Sequence, residues 1–133
     1  MDRYTAVDDV GNVIHPVIVE GQLHGGVVQG AGQVFGEQIV YDQKSGQPLS
    51  ASFMDYIMPR AGLLRELRGE EHPTTSKVSP LGVKGMGESG CTASIPSLVD
   101  AVIDALRPLG VKQLDMPLTP SKLWHAMQTA KQK

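Results

Sequence analysis

The sequence predicts an α+β fold that contains a glycine-rich helix, a β-hairpin and two C-terminal amphipathic helices. Apolar residues recur at spacings of three and four in residues 20–37, which is the spacing of a helix. Residues 37–54 alternate between apolar and polar side chains on both sides of a turn-forming segment. Two later segments, residues 95–106 and 119–127, carry apolar stripes, and each has a proline in its predicted first turn.

Composition limits the kind of protein this is. The 133 residues are 41% hydrophobic, but 15 glycines, 9 prolines and only 5% aromatic residues predict a light core of small side chains. A net charge of -2 with interspersed acids and bases argues against nucleic acid or a membrane as the partner, and favours small molecules or proteins. We find no leader-like start and no apolar run approaching about 20 residues, so we expect a cytoplasmic location.

The N-terminal stretch is predicted to form a strand. Residues 4–19 have the β-branched content of strand structure, interrupted by a turn signal at residues 8–12 and by Pro16. No upstream segment is an obvious partner for this strand, so we expect the chain to be a piece of something larger.

The predicted helix at residues 20–37 contains six glycines, each of which costs up to about 1 kcal/mol in a helix interior. Gly26 and Gly30 stand one turn apart and would make a smooth face that a ligand or another backbone could approach closely. Gln22 and Gln29 place amides near that face. An amide donates and accepts at once, which suits the edge of a heterocycle, although both residues also fit an ordinary polar helix surface.

The segments beyond this helix are assigned from turn and capping signals. The hairpin at residues 37–54 turns at residues 43–47, and residues 61–68 are expected to form a short turn of helix. Ser94 is predicted to cap the helix at residues 95–106, with Pro96 in its first turn and with Pro108 and Gly110 ending it. Residues 111–114 are expected to add a short strand, and Thr119 with Pro120 to start the last helix, which carries Leu123, Trp124 and Met127.

The most informative stretch is residues 82–90, Gly-Val-Lys-Gly-Met-Gly-Glu-Ser-Gly, which we call the glycine loop. Its four glycines permit positive φ and close approach to another molecule, and the helix that follows could aim N–H groups at an anion. The loop is therefore predicted to be an anion cradle that carries one carboxylate, Glu88. The alternative is a flexible connector with an exposed glutamate. Cys91, the single cysteine, excludes an internal disulfide and is expected to be a small packing residue rather than a nucleophile.

Three motifs in this order resemble the C-terminal end of the molybdenum subunit of the xanthine oxidase family, which includes aldehyde oxidases, xanthine dehydrogenases and aerobic carbon monoxide dehydrogenase large subunits. They are AVDDVGNVIHPVIVEGQLHGGVVQGAGQ, GVKGMGESG and PLTPSKLW. The resemblance runs over nearly the whole chain. It implies that residues 1–133 are a single, incomplete, C-terminal molybdopterin-binding domain, which is a partial domain of a larger molybdenum subunit.

The resemblance also implies roles for individual residues. Glu88 matches the family's catalytic glutamate beside the molybdenum, where a carboxylate takes a proton during oxygen transfer to the substrate. Gln22 matches a glutamine that contacts the molybdopterin cofactor. Lys84, Gly85, Met86 and Gly87 match a loop that lies along the cofactor, with backbone N–H groups as donors. The pterin dithiolene holds the metal, so no side chain is expected to be a metal ligand.

The implied partners are the remaining part of the molybdenum subunit, iron–sulfur and flavin subunits or domains, and a small-molecule substrate. Exposed apolar surface around the glycine-rich helix predicts association with a partner or with a second copy. Three hypotheses follow: a piece of a molybdenum hydroxylase that oxidises an aldehyde or N-heterocycle only with partner segments, a non-catalytic remnant that serves as an interaction domain, and a phosphate or nucleotide cradle. The third lacks both GxxxxGK[ST] and a GxGxxG after a strand.

Overall fold

A computed structural model describes residues 1–131 of the chain and confirms the α+β class. The elements in chain order are β1 (Arg3–Asp8), α1 (Pro16–Phe35), a 3₁₀ turn (Ala61–Leu63), β2 (Glu66–Glu71), α2 (Ser89–Leu106), a second 3₁₀ turn (Arg107–Leu109) and α3 (Pro120–Lys131). None of the helices in residues 1–131 is long and apolar enough to cross a membrane.

The chain divides into two compact units. The first contains Met1–Gly30 and Arg60–Ser94, and the second contains Ala31–Pro59 and the chain from Ile95 onward. The buried apolar side chains of the first unit include Val10, Leu23 and Val27. Those of the second unit include Ala31, Val34, Leu98, Leu106 and Leu118. Both cores consist of aliphatic side chains of small or medium size, as the composition predicts.

The sheet of the first unit pairs two strands that lie far apart in sequence. β1 runs parallel to β2, with Arg3 opposite Glu66 and Asp8 opposite Glu71. Parallel strands need a long crossover connection, and here that connection contains α1. The partner of the N-terminal strand is therefore downstream. It forms where we expected a helical turn in residues 61–68, and only Ala61–Leu63 of that segment is helical.

Helix α1 confirms the glycine-rich helix but begins earlier than predicted, so residues 16–19 are helical rather than extended. Pro16 occupies the first helical position, where its missing N–H is not needed. His15 precedes it and acts as the cap: its carbonyl accepts the N–H of Val19 at 3.1 Å, and its Nδ1 accepts the N–H of Ile18 at 3.4 Å.

Helix α2 begins at Ser89, so the predicted cap at Ser94 is wrong and Pro96 lies inside the helix. Ser94 is instead fully buried, and its Oγ donates to the carbonyl of Cys91 at 3.1 Å. The early start is explained by packing. A β-carbon on Gly90 would lie 2.6 Å from the carbonyl oxygen of Leu23, and one on Gly26 would lie 2.8 Å from the backbone nitrogen of Cys91.

Residues 37–54 form the predicted turn but no long strands. A single antiparallel bridge joins Tyr41 to Pro48, and the N–H of Leu49 donates to the carbonyl of Val40 at 2.7 Å. Asp42 organises the turn, because its Oδ1 accepts the N–H groups of Lys44 at 3.1 Å and Ser45 at 2.7 Å. The short hairpin is thus held by a few backbone hydrogen bonds near the turn and by the Asp42 side chain, without a long ladder.

The C-terminal segments follow their local signals in part. α2 ends at Leu106 as predicted, but a 3₁₀ turn that contains Pro108 follows it, and Gly110, with a φ of 85°, ends that turn. Thr119 caps α3, and its Oγ1 accepts the N–H of Lys122 at 3.3 Å. The strand expected at residues 111–114 is absent from the described chain. Trp124 of α3 is 54% exposed, so the apolar stripe of that helix is only partly covered within residues 1–131.

Two neighbouring glycines of α1 give a matched test of the helix contact. Gly26→Ala should lower the free energy of unfolding by about 1–3 kcal/mol, because its β-carbon would press on the backbone of Cys91. Gly25→Ala should raise it by about 0.4–1 kcal/mol, because no atom lies within 4 Å of its β-carbon position. Urea unfolding of the two variants and the wild type measures both. Equal effects of the two substitutions would contradict the packing described here.

Candidate functional site

Glu88 lies directly before α2, at the end of the glycine loop. Its carbonyl accepts the N–H groups of Cys91 at 3.1 Å and Thr92 at 3.0 Å, which are the first bonds of the helix. Glu88 is therefore the cap residue of α2, and its side chain is exposed. The helix N-terminus is six residues closer to the glycine loop than predicted, so its N–H groups and the positive end of its dipole lie beside Glu88.

The backbone of the glycine loop has unused donors. Among the described residues 1–131, no acceptor is found for the N–H groups of residues 85–88. Only Gly82 of the four loop glycines has a positive φ, 67°. Gly85 and Gly87 are exposed, and a β-carbon on either would meet no atom within 4 Å. The described chain therefore does not itself require glycine at positions 85 and 87.

Lys84 is tied into a polar cluster at the base of the glycine loop. Its Nζ lies 2.6 Å from Oδ2 of Asp9 and donates to Oγ1 of Thr74 at 2.7 Å. Thr74 donates to the same carboxylate through its hydroxyl and through its N–H, the latter at 2.9 Å. The N–H of Gly11 completes the set, donating to Oδ1 of Asp9 at 3.0 Å. We call Asp9, Thr74 and Lys84 the loop anchor.

The charge on Asp9 is strongly stabilised by these donors. The Lys84 ammonium contributes most, followed by the hydroxyl and N–H of Thr74 and the N–H of Gly11, and together they hold the pKa of the Asp9 carboxyl well below its usual range. Both side chains of the ion pair remain about a third exposed, at 35% for Lys84 and 36% for Asp9.

The remaining predicted residues lie on or beside elements that contact the start of α2. Gln22 is exposed on α1, next to Leu23, whose carbonyl approaches Gly90 closely. No partner is found for the Gln22 amide within the described chain. Met86 lines a cavity of about 230 Å³ together with Leu23 and His24 of α1. Cys91 is half-buried, and its nitrogen lies against Gly26, which agrees with a packing position.

Comparison with known proteins identifies the relatives of this chain. The sequence profile of the molybdopterin cofactor-binding domain family matches residues 1–64. The chain is 38% identical over 126 residues to the carbon monoxide dehydrogenase large chain of Hydrogenophaga pseudoflava, a match that covers 95% of this chain and 16% of the relative. It is 40% identical over 126 residues to the nicotine 6-hydroxylase large subunit of Paenarthrobacter nicotinovorans, covering 95% of this chain and 15% of that subunit.

Part of a solved structure has the same fold as this chain. The crystal structure of a Cu,Mo-CO dehydrogenase in the carbon monoxide reduced state superimposes with a TM-score of 0.90 at 36% identity, over 97% of this chain and 16% of that chain. Over most of its length the chain is similar to carbon monoxide dehydrogenase large chains and to molybdenum-binding subunits of the xanthine dehydrogenase family, as the sequence predicts. It spans about one sixth of the length of these relatives.

Two residues of the site, Asp9 and Thr74, were not predicted from the sequence. The sequence predicts only a turn at Asp9, although an Asp two residues before a glycine is itself a sign of a carboxylate that caps local N–H groups. The bonds from Thr74 and Lys84 to Asp9 span 65 and 75 positions, so local patterns contain no signal for them.

The lowered pKa of Asp9 predicts a pH-dependent contribution to stability. A carboxyl with a folded pKa below its unfolded value of about 3.9 stabilises the fold above that pH and loses this contribution as pH falls towards the folded pKa. The difference in unfolding free energy between the wild type and Asp9→Asn should be constant from pH 7 to 5 and should shrink below about pH 4.

Urea unfolding at pH 7, 5 and 3 measures this difference. Asp100→Asn is the control, because Asp100 is exposed on α2 and has no ion-pair partner within residues 1–131. A difference between wild type and Asp9→Asn that is as large at pH 3 as at pH 7 would contradict the assignment.

Proposed function

We propose that this chain forms part of a molybdenum hydroxylase that oxidises an aldehyde, an N-heterocycle or a similar small molecule with water-derived oxygen, and that it is competent only with the remaining segments of the subunit. The observation that carries the proposal is the arrangement of the glycine loop, in which open glycines and unused N–H donors lead directly to Glu88 at the start of α2. The relationship to molybdenum-binding subunits supports the same conclusion.

The donor set of the loop fits the molybdopterin cofactor. Molybdopterin carries a pterin with several hydrogen-bonding edges and a phosphate, which match backbone N–H groups at a helix N-terminus. Gly85, Met86 and Gly87 would hold it through the backbone, because their N–H groups have no acceptor within residues 1–131. Gln22 would add a side-chain amide. Lys84 would contribute by holding the loop, since its N–H already donates to the carbonyl of Val10 at 2.8 Å.

The open positions at Gly85 and Gly87 support close approach of the cofactor. Exposed glycines with ordinary φ raise the entropy cost of ordering a loop, and in this chain they make no contact that a larger side chain would disturb. A molecule lying against the loop would explain why glycine occupies these two positions, because the β-carbon of any other residue would keep that molecule at a distance. When bound, the molybdenum cofactor would accept the two electrons that leave the substrate as its C–H bond breaks and the new carbon–oxygen bond forms.

Glu88 acts as the general base. Its carboxylate accepts a proton from the water-derived oxygen as this oxygen attacks the substrate carbon, which is the step at which the oxygen must lose that proton. The cap position fixes the backbone of Glu88 through two hydrogen bonds and leaves its side chain exposed towards an incoming molecule. No other acid lies in the glycine loop.

The partners follow from the same proposal. The remaining part of the molybdenum subunit would complete the site, and iron–sulfur and flavin subunits or domains would pass the electrons on. Phe53 and Met54, which are 80% and 94% exposed, support a covered surface in the second unit, since large exposed apolar patches mark interfaces. The second candidate is a non-catalytic interaction domain, favoured by the same exposed apolar side chains.

The first functional prediction concerns cofactor content. The purified 133-residue chain alone should contain far less than one molybdenum per chain, because this proposal places part of the pterin site on segments outside it. Metal and pterin analysis of the chain, alone and after purification with its partner segments, measures this. Stoichiometric molybdenum in the chain alone would contradict the proposal of a shared site.

The second functional prediction concerns Glu88 in the assembled enzyme. Glu88→Gln keeps the shape of the side chain but removes the base, so turnover should fall by about 10²–10⁴-fold while molybdenum content stays nearly unchanged. The matched control is Glu37→Gln. Glu37 is half-buried in the second unit, where its carboxylate lies against Gly32, and this substitution should change turnover little.

The assay is turnover of an aldehyde or an N-heterocycle, measured beside molybdenum content for each variant. A Glu88→Gln enzyme with full molybdenum and near-normal turnover would show that Glu88 is not the base. Equal losses in Glu88→Gln and Glu37→Gln would point instead to a general effect of removing a carboxylate.

A further inference from the structure

We infer that the loop anchor, Asp9 with Thr74 and Lys84, is a positioning device that holds the glycine loop and thereby sets the place of Glu88. The three residues come from three segments: the turn after β1, the segment after β2 and the loop itself. They meet through one carboxylate that accepts four hydrogen bonds, from Lys84, from the hydroxyl and N–H of Thr74, and from the N–H of Gly11.

The parallel sheet explains why these residues meet. β1 and β2 end opposite each other, with Asp8 paired to Glu71, and the N–H of His72 donates to the carbonyl of Asp8 at 2.9 Å. Because parallel strands deliver their C-terminal ends to the same edge of a sheet, Asp9 and Thr74 emerge side by side. From the glycine loop, the Lys84 side chain reaches this edge of the sheet and bonds to Asp9 and Thr74.

Backbone contacts strengthen the same attachment. The N–H of Asn12 donates to the carbonyl of Gly82 at 3.0 Å, and its side-chain amide donates to the carbonyl of Leu81 at 2.8 Å. Gly11 approaches Gly82 so closely that a β-carbon on Gly11 would collide with the Gly82 carbonyl oxygen. The first part of the glycine loop is thus fixed to the turn that contains Asp9.

The second end of the loop is also fixed, by the contact of Gly90 with α1. Only four residues, 85–88, lie between Lys84 and the first residue of α2. A segment this short cannot place its last residue independently of its two ends. The anchor therefore acts on Glu88 through the loop, and Lys84 is a positioning residue whose ammonium is engaged by Asp9 and Thr74.

An isolated surface ion pair would not support this inference, since such pairs contribute little. The anchor differs because Asp9 also binds two backbone N–H groups and a hydroxyl, which restrict its orientation. The Arg3–Glu66 pair is a suitable comparison: it joins β1 to β2 at 3.1 Å, with side chains that are 59% and 37% exposed, and it does not touch the glycine loop.

The first experiment uses the isotopically labelled full chain and measures backbone order parameters for residues 85–88 and amide hydrogen exchange of Asn12 and Lys84. The variants are Lys84→Met, Asp9→Asn and Thr74→Val, with Lys84→Arg as the conservative variant and Glu66→Gln as the control. We expect order parameters near 0.85 in the wild type, Lys84→Arg and Glu66→Gln, and below about 0.6 in Lys84→Met and Asp9→Asn. Exchange of the two amides should accelerate at least about 10-fold in the same two variants.

The outcomes decide the inference directly. A loop as ordered in Lys84→Met and in Asp9→Asn as in the wild type would overturn it, and so would a wild-type loop that is already disordered. If Asp9→Asn fails to fold, Lys84→Met and Thr74→Val give the same comparison. Loss of order in Glu66→Gln as well would show that any lost carboxylate loosens the loop, which also overturns it.

The second experiment uses the assembled enzyme and rests on the proposed function. Lys84→Met should lower kcat at least about 10-fold with KM and molybdenum content little changed, and Lys84→Arg should restore most of kcat. A disordered loop with normal turnover would uphold the anchor and remove the proposed role of Glu88. Lost molybdenum with an ordered loop would show that Lys84 contacts the cofactor directly, and would overturn the anchor.

Discussion

The first unit depends on one place where two helix backbones touch. Gly26 of α1 lies against Gly90 and Cys91 of α2, and a β-carbon on Gly90 would come within 2.6 Å of the Leu23 carbonyl. Glycine in a helix interior costs about 1 kcal/mol, and this close contact is what offsets the cost. Because Gly90 is the second residue of α2, the contact also sets where that helix begins and therefore where Glu88 stands.

Six glycines of the first unit fall into three groups by their surroundings. Gly11 and Gly82 need positive φ, and Gly26 and Gly90 leave room for a neighbouring backbone. Gly85 and Gly87 satisfy neither need, since their φ values are ordinary and their β-carbon positions are open. These two glycines lie between the loop anchor and Glu88, where the proposed cofactor would approach the loop. Composition alone could not separate the three groups.

Local signals in the sequence predicted the elements that depend on neighbouring residues. The cap at Thr119, the C-terminal stop at Gly110, the turn around Asp42 and the helical spacing of α1 all involve contacts within a few positions, so short patterns contain them. The local prediction of a helix cap at Ser94 is wrong. A serine two residues before a proline is a strong local cap signal, but the packing of Gly90 against α1 extends the helix six residues towards the loop.

The sequence by itself determined the α+β class, the glycine-rich helix and the last helix, because hydrophobic period, capping residues and glycine spacing are local properties. The tertiary structure alone decided that β1 pairs with β2, that α2 starts beside Glu88, and that Lys84 binds Asp9 across 75 positions. The physical reason is the same in each case. These features are contacts between segments far apart in the chain, and β2, with the sequence Glu-Leu-Arg-Gly-Glu-Glu, becomes a strand because of its partner rather than its own propensity.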